Sequence, residues 1–185
     1  MSGKLYVISG PSGAGLKDIV SQVIESRDDL GTAVPVTARK MKDGEQNGIG
    51  FYFYDLDGWN ALRESGDLLE ETEFAGNDYG TSRRLVLEQL EAGKNVVLNL
   101  ETERAVQIKK NMPEAVCVYV EPSRPEILRE RYEKTARSSF EVSARMELAE
   151  KQRALSAFCD VRICSDDPEK AVRELNGLID RNSEA

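Results

Sequence analysis

The sequence predicts an α/β fold, a parallel sheet with helices on both faces and a smaller β-rich lobe inserted into it. Three observations carry that prediction. Short apolar runs alternate with stretches of helical periodicity along most of the 185 residues. The first apolar run stops at a glycine-rich loop that opens a helix. A stretch near residues 35–83 differs in texture from everything around it.

Residues 5–9 (Leu-Tyr-Val-Ile-Ser) form the first apolar run, which ends at Gly10-Pro11-Ser12-Gly13-Ala14-Gly15. Ile19, Val20, Val23 and Ile24 then recur at helical spacing, so the order is strand, loop, helix. Further buried strands are expected at 95–100, 115–120 and 161–164, with helices at 104–111, 125–133, 141–157 and 168–180. Alternation of this kind places the strands side by side in one direction with both faces covered. The core is therefore expected to comprise 1–34 and 84–185, interrupted by a lobe at 35–83. That lobe reads as short alternating segments with glycines, such as Gly48-Ile49-Gly50-Phe51-Tyr52-Phe53-Tyr54, and a helix near 57–65. Residues 134–140 are short, polar and rich in small side chains, which suits a lid.

Composition narrows the chemistry. Lys+Arg number 25 against 33 Asp+Glu, a net charge of −8 that disfavours nucleic acid or an anionic membrane as the main partner. Histidine is absent, which excludes a Ser-His-Asp triad and histidine-ligated metals. Cys117, Cys159 and Cys164 suggest neither a disulfide framework nor a zinc site and read as small buried hydrophobes. No apolar stretch approaches the ~18 residues of a membrane span and the N-terminus resembles no signal peptide, so the expected location is the cytoplasm.

The loop is half of a phosphate-binding motif. Such a motif, Gly-x-x-x-x-Gly-Lys-Ser/Thr, uses glycines to turn backbone amides inward, lysine to neutralise phosphate and a hydroxyl to ligate magnesium. Gly10, Ser12, Gly13 and Gly15 keep the frame, but Leu16 stands in the lysine position and Lys17 in the hydroxyl position. A turn of this composition also serves as a plain strand-to-helix connection, with Asp18 favoured by the helix dipole.

More of the chain then points one way. Ser9–Gly15, Thr37-Ala38-Arg39 with Asp43-Gly44-Glu45, Asn47-Gly48 and Phe51-Tyr52-Phe53, and the run from Glu70 through Gly76-Asn77-Asp78-Tyr79-Gly80-Thr81-Ser82 together resemble the guanylate kinases over nearly the whole length. The resemblance implies a three-layer P-loop NTPase-type sheet with an inserted GMP-binding lobe and a short lid. It implies that Arg39, Lys42 and Tyr79 hold the GMP phosphate, beside Phe51 in place of the family's phosphate-binding tyrosine. It implies that Glu70, Thr81 and Glu101 read the guanine edge, since a carboxylate can accept from two donors that adenine cannot offer together. Lys17, Arg131, Arg145 and Arg137 would be the catalytic cations.

The sequence departs from the family at both ends of the reaction. Pro35 replaces a base-contacting serine and Lys42 a forked arginine. Leu16, Lys17, Asn99 and Thr135 replace a lysine, a metal-binding hydroxyl, an acidic residue and a lid arginine, all on the ATP–magnesium side. The expectation is a GMP-binding relative with impaired or lost ATP:GMP phosphotransfer, without a protein metal site. Two alternatives remain open: an active kinase converting ATP and GMP to ADP and GDP, which alone would require ATP and magnesium and would use Lys17 in a rearranged loop, and a phosphoprotein-binding module reusing the GMP cleft.

Overall fold

The computed structural model describes residues 2–183; Met1, Glu184 and Ala185, at the ends of the expected core, lie outside the described residues. In chain order the first elements are β1 (Leu5–Ser9), α1 (Leu16–Glu25), β2 (Leu30–Gly31), β3 (Val36–Thr37), β4 (Gln46–Asn47), β5 (Gly50–Phe53) and α2 (Leu56–Glu64). Next come β6 (Leu68–Phe74), β7 (Asn77–Ser82), α3 (Arg83–Glu91), β8 (Asn95–Asn99), α4 (Thr102–Asn111) and β9 (Val116–Glu121). The chain closes with α5 (Pro125–Glu133), α6 (Ser139–Leu155), a 3₁₀ turn (Ser156–Phe158), β10 (Val161–Cys164) and α7 (Pro168–Ser183).

One sheet has five strands in the order β10-β9-β1-β8-β2, every pairing parallel. This is the parallel α/β sheet that the alternating pattern predicts. Each face is filled by alternate residues of the same strands, because successive side chains point to opposite sides. Leu5 and Val7 join Val96, Leu98, Val86, Leu90, Ala105 and Ile108 beneath α3 and α4. Tyr6 and Ile8 join Val97, Val118, Val120, Ile19, Val23, Leu175 and Ile179 beneath α1 and α7. Burial on both sides explains why these strands read as unbroken apolar runs, each such aliphatic side chain contributing about 1.5–3 kcal/mol. A third cluster, Leu128, Tyr132, Val142 and Met146, zips α5 to α6.

The second sheet is built from residues of the inserted stretch, in the order β4-β5-β3-β7-β6. Here β6 and β7 form an antiparallel hairpin whose turn holds Ala75 and Gly76 at φ 51° and 73°. Trp59 on α2 is fully buried against this sheet, its ring 3.3 Å from where a side chain on Gly80 would begin. Helix α4 ties the two sheets together. Gln107 gives Oε1 to the Glu71 amide (3.1 Å) and Nε2 to the Glu71 carbonyl (3.2 Å), and Asn111 donates to the Leu69 carbonyl (2.9 Å). Edge strand β6 thus has its exposed peptide groups partnered by side chains instead of a further strand.

Several features depart from the sequence expectation. Helix α4 begins at Thr102 and α6 at Ser139, each two residues early, and Ser138 caps α6 by accepting from the Glu141 amide at 3.2 Å. Helix α3 and the two-residue β2 have no counterpart in the periodicity reading. Cys117 is buried in β9 as expected, but it forms a disulfide with Cys159, Cα to Cα 4.5 Å. The Asp160 amide donates to the Cys117 carbonyl at 2.8 Å, which brings the two residues together across 42 positions; an odd cysteine count does not exclude one pair. Cys164 is free and exposed. No helix among the described residues is long and apolar enough to cross a membrane.

Candidate functional site

The C-terminal ends of β1 and β8 open onto two adjoining cavities of about 620 and 890 Å³. The smaller lies over the glycine-rich loop and the larger between the two sheets. Lys17, Asn99, Leu100, Glu101 and Arg104 line both.

The loop has the backbone of a phosphate cradle. Gly10 passes so close to β9 that a Cβ there would lie 2.0 Å from the Val120 carbonyl oxygen, which makes glycine obligatory. Gly15 caps α1 in the left-handed region at φ 82°, ψ 14°, with no side-chain cap on the first-turn amides. Ser9 at the loop's entry donates to the Thr102 hydroxyl at 2.9 Å, pinning it to α4. Helix α5 clamps the other side: Arg131 donates to the Gly13 carbonyl at 2.7 Å and the Tyr132 hydroxyl to the Ser12 carbonyl. Both donors occupy loop carbonyls, and within the loop the Ala14 amide donates to the Pro11 carbonyl at 3.1 Å.

The side chains around that cradle have a different character. Leu16 packs on the core with Cδ1 3.1 Å from the Cβ position of Gly10, and Lys17 is exposed with no ion pair among the described residues. The lining holds the carboxylates of Asp18 and Glu101 against Lys17 and Arg104, and Arg104 is committed elsewhere.

The larger cavity gathers several residues the sequence singles out. Lys17, Pro35, Phe51, Tyr79, Thr81 and Glu101 all line it, with an apolar floor from Val20, Ile24, Ala33 and Val97. Phe51 and Tyr79 pack with ring centroids 5.7 Å apart and planes tilted by 59°. Behind them, the Arg39 guanidinium sits 5.1 Å from the centre of the Phe51 ring and 5.0 Å from that of Phe53, and Glu45 grips it through two bonds of 2.7 and 2.6 Å. The Arg39 hydrogen bonds, followed by the Lys42 amide, hold the Glu45 carboxyl down at about 2. Its contribution to the lobe is therefore present above the ordinary carboxylate value of 4.5 and lost as pH falls from there through about 2. Carbon-13 NMR of the Glu45 carboxyl is expected to show this midpoint; a midpoint near 4.5 would mean the pair does not persist in solution.

Other predicted residues stand apart. The Lys42 side chain is exposed, and its backbone amide bonds Glu45 at 2.7 Å. Arg145 reaches back to Glu141 and, at 3.3 Å, to Thr135, with its guanidinium 5.6 Å from the centre of the Tyr132 ring. Arg137 lies between α5 and α6; its amide bonds Glu141 at 2.9 Å and its guanidinium has no partner among the described residues.

Glu70 is the most displaced from expectation. Its side chain has no solvent exposure, and both carboxylate oxygens are taken. Arg104 supplies Nε to Oε2 at 2.5 Å and Nη2 to Oε1 at 2.8 Å, and the Thr81 hydroxyl donates to Oε1 at 2.7 Å. Burial opposes the charge on Arg104, but the bonds and charge of Glu70 outweigh it and leave the guanidinium more basic than usual. Sequence reading missed Arg104. The one local signal is a cation in the first turn of α4, where the helix dipole disfavours it, so that a specific partner has to hold it there.

A family model for guanylate kinase matches residues 2–182. The chain belongs to the guanylate kinase family. A guanylate kinase of Trichormus variabilis is 37% identical over 176 residues, covering 94% of this chain and 88% of that protein. One from Streptomyces kasugaensis is 34% identical over 181 residues, covering 97% and 88%. The crystal structure of guanylate kinase from Anaplasma phagocytophilum has the same fold, with a TM-score of 0.70 at 22% identity over 100% of this chain and 88% of that one.

Guanylate kinase chemistry implies a divalent cation beside the phosphate loop. The residues here fit it poorly. Lys17 brings an ammonium to the loop side of the cavity and Asn99 a neutral amide to the facing strand.

Proposed function

We propose that this member of the guanylate kinase family binds a purine nucleoside monophosphate, GMP included, in the larger cavity and performs ATP:GMP phosphotransfer poorly or not at all. The observation that carries the reading is the charge around an otherwise well-formed cradle. One uncommitted ammonium, Lys17, faces the carboxylates of Asp18 and Glu101, so the cavity offers a triphosphate no net positive field. Phosphoryl transfer depends almost wholly on positioning and charge stabilisation, and loss of one preorganised stabiliser costs about 10²–10³ in rate.

Calorimetric titration with GMP and with ATP plus magnesium, followed by a coupled ADP assay, tests this beside the T. variabilis relative. The expected result is GMP binding with turnover at least about 10²-fold below that relative. Turnover within tenfold of it would refute the reading.

A second reading, an active kinase, draws support from the place of Lys17. Its exposed side chain lines both cavities, between the loop and the cleft, where an ammonium could serve a phosphoryl group in transit. Under this reading Lys17→Ala abolishes a readily measured turnover while the circular dichroism spectrum stays unchanged. Under the first there is little turnover to lose.

A further inference from the structure

Arg104 brings hydrogen-bond donors to the wall of the larger cavity. This inference rests on the cavity being a purine monophosphate cleft. A carboxylate that selects guanine must present a free oxygen to the ring N–H and the 2-amino group. Glu70 presents none. Its oxygens accept three hydrogen bonds from Arg104 and Thr81, its side chain is fully buried, and it contributes nothing to the cavity wall.

Arg104 does line that wall. A guanidinium has five N–H donors. Two are spent on Glu70, and a third makes a long contact of 3.4 Å from Nη1 to Glu101. One N–H on each terminal nitrogen remains for a ligand, and the two bonds to Glu70 fix the plane of the guanidinium. Thr81, whose proton is committed to Glu70, can only accept. Glu101 keeps a carboxylate at the rim, but its side chain is 67% exposed, so water competes for it and its selectivity is weak.

We propose that Arg104 sets the base specificity of this cleft, which takes a 6-oxopurine monophosphate through the acceptor edge of the ring and does not read the 2-position. A guanidinium fork matches a carbonyl oxygen and the adjacent ring nitrogen of such a purine, whereas a 6-amino group would meet it donor to donor. GMP and IMP then look alike to the protein, and AMP does not.

The test is calorimetric titration of the intact protein with GMP, IMP and AMP under one set of conditions. GMP and IMP are expected to bind within about threefold of each other and AMP at least about tenfold more weakly. Arg104→Lys keeps a cation beside Glu70 but loses the fork; it is expected to weaken IMP at least about tenfold and to leave the circular dichroism spectrum unchanged. A preference for GMP over IMP above tenfold, or AMP equal to IMP, overturns this inference alone. Failure of all three nucleotides to bind overturns the monophosphate reading of the cleft along with it.

Discussion

Arg104→Ala is expected to lower the unfolding free energy by about 3–5 kcal/mol, a large share of the stability of a domain of this size. The size of the effect follows from what remains behind. Glu70 has no side-chain exposure, and in the variant only the Thr81 hydroxyl still meets its carboxylate. Removing one partner of a buried ion pair leaves the other charge uncompensated, which costs far more than the pair contributes while intact. Surface pairs of the same chain give the contrast. Arg84 and Glu88, each 57% exposed, should show less than about 1 kcal/mol on Arg84→Ala. Urea unfolding of both variants, followed by far-ultraviolet circular dichroism, measures the difference. A loss near 1 kcal/mol for Arg104→Ala would mean that water reaches Glu70.

Trp59→Ala is the second large expectation, also about 3–5 kcal/mol. Trp59 is fully buried and stands against β7 at Gly80, where an added Cβ would come within 2.7 Å of the Glu70 carbonyl oxygen. The close approach of ring to strand is what seats α2 on the second sheet. Loss should be concentrated in that sheet, so hydrogen exchange of β6 and β7 amides should accelerate more than exchange in β1 and β9. Uniform acceleration across both sheets would show that the two unfold as one unit.

How far this molecule was legible from its sequence depended on the range of the interaction involved. Strands β1, β8, β9 and β10 are buried on both faces, so their own composition announces them. The loop at Gly10–Gly15 and the helix after it follow from residue types a few positions apart. Strand β6 was not legible as a strand, because Leu68-Leu69-Glu70-Glu71-Thr72-Glu73-Phe74 has one edge and one face partnered by side chains of α4, which no local pattern records. Strand β2 is two residues long and carries no period at all. Glu70 shows the deeper difficulty. Its place in a motif pointed to a reader of the base, but its environment is set by Arg104, 34 positions away. The pairing of Cys117 with Cys159 is invisible to the same degree and for the same reason.

The wall common to the two cavities has an energetic meaning of its own. Lys17, Asn99, Glu101 and Arg104 face both chambers, and the wall holds a single ammonium that can turn toward either. An anion settling in one chamber draws that ammonium to itself and leaves a more negative field in the other. If both chambers take anions, competition for that ammonium makes their occupancy antagonistic, and thermodynamic linkage makes the antagonism mutual: whatever factor a phosphate at the loop takes from affinity in the cleft, one in the cleft takes from affinity at the loop.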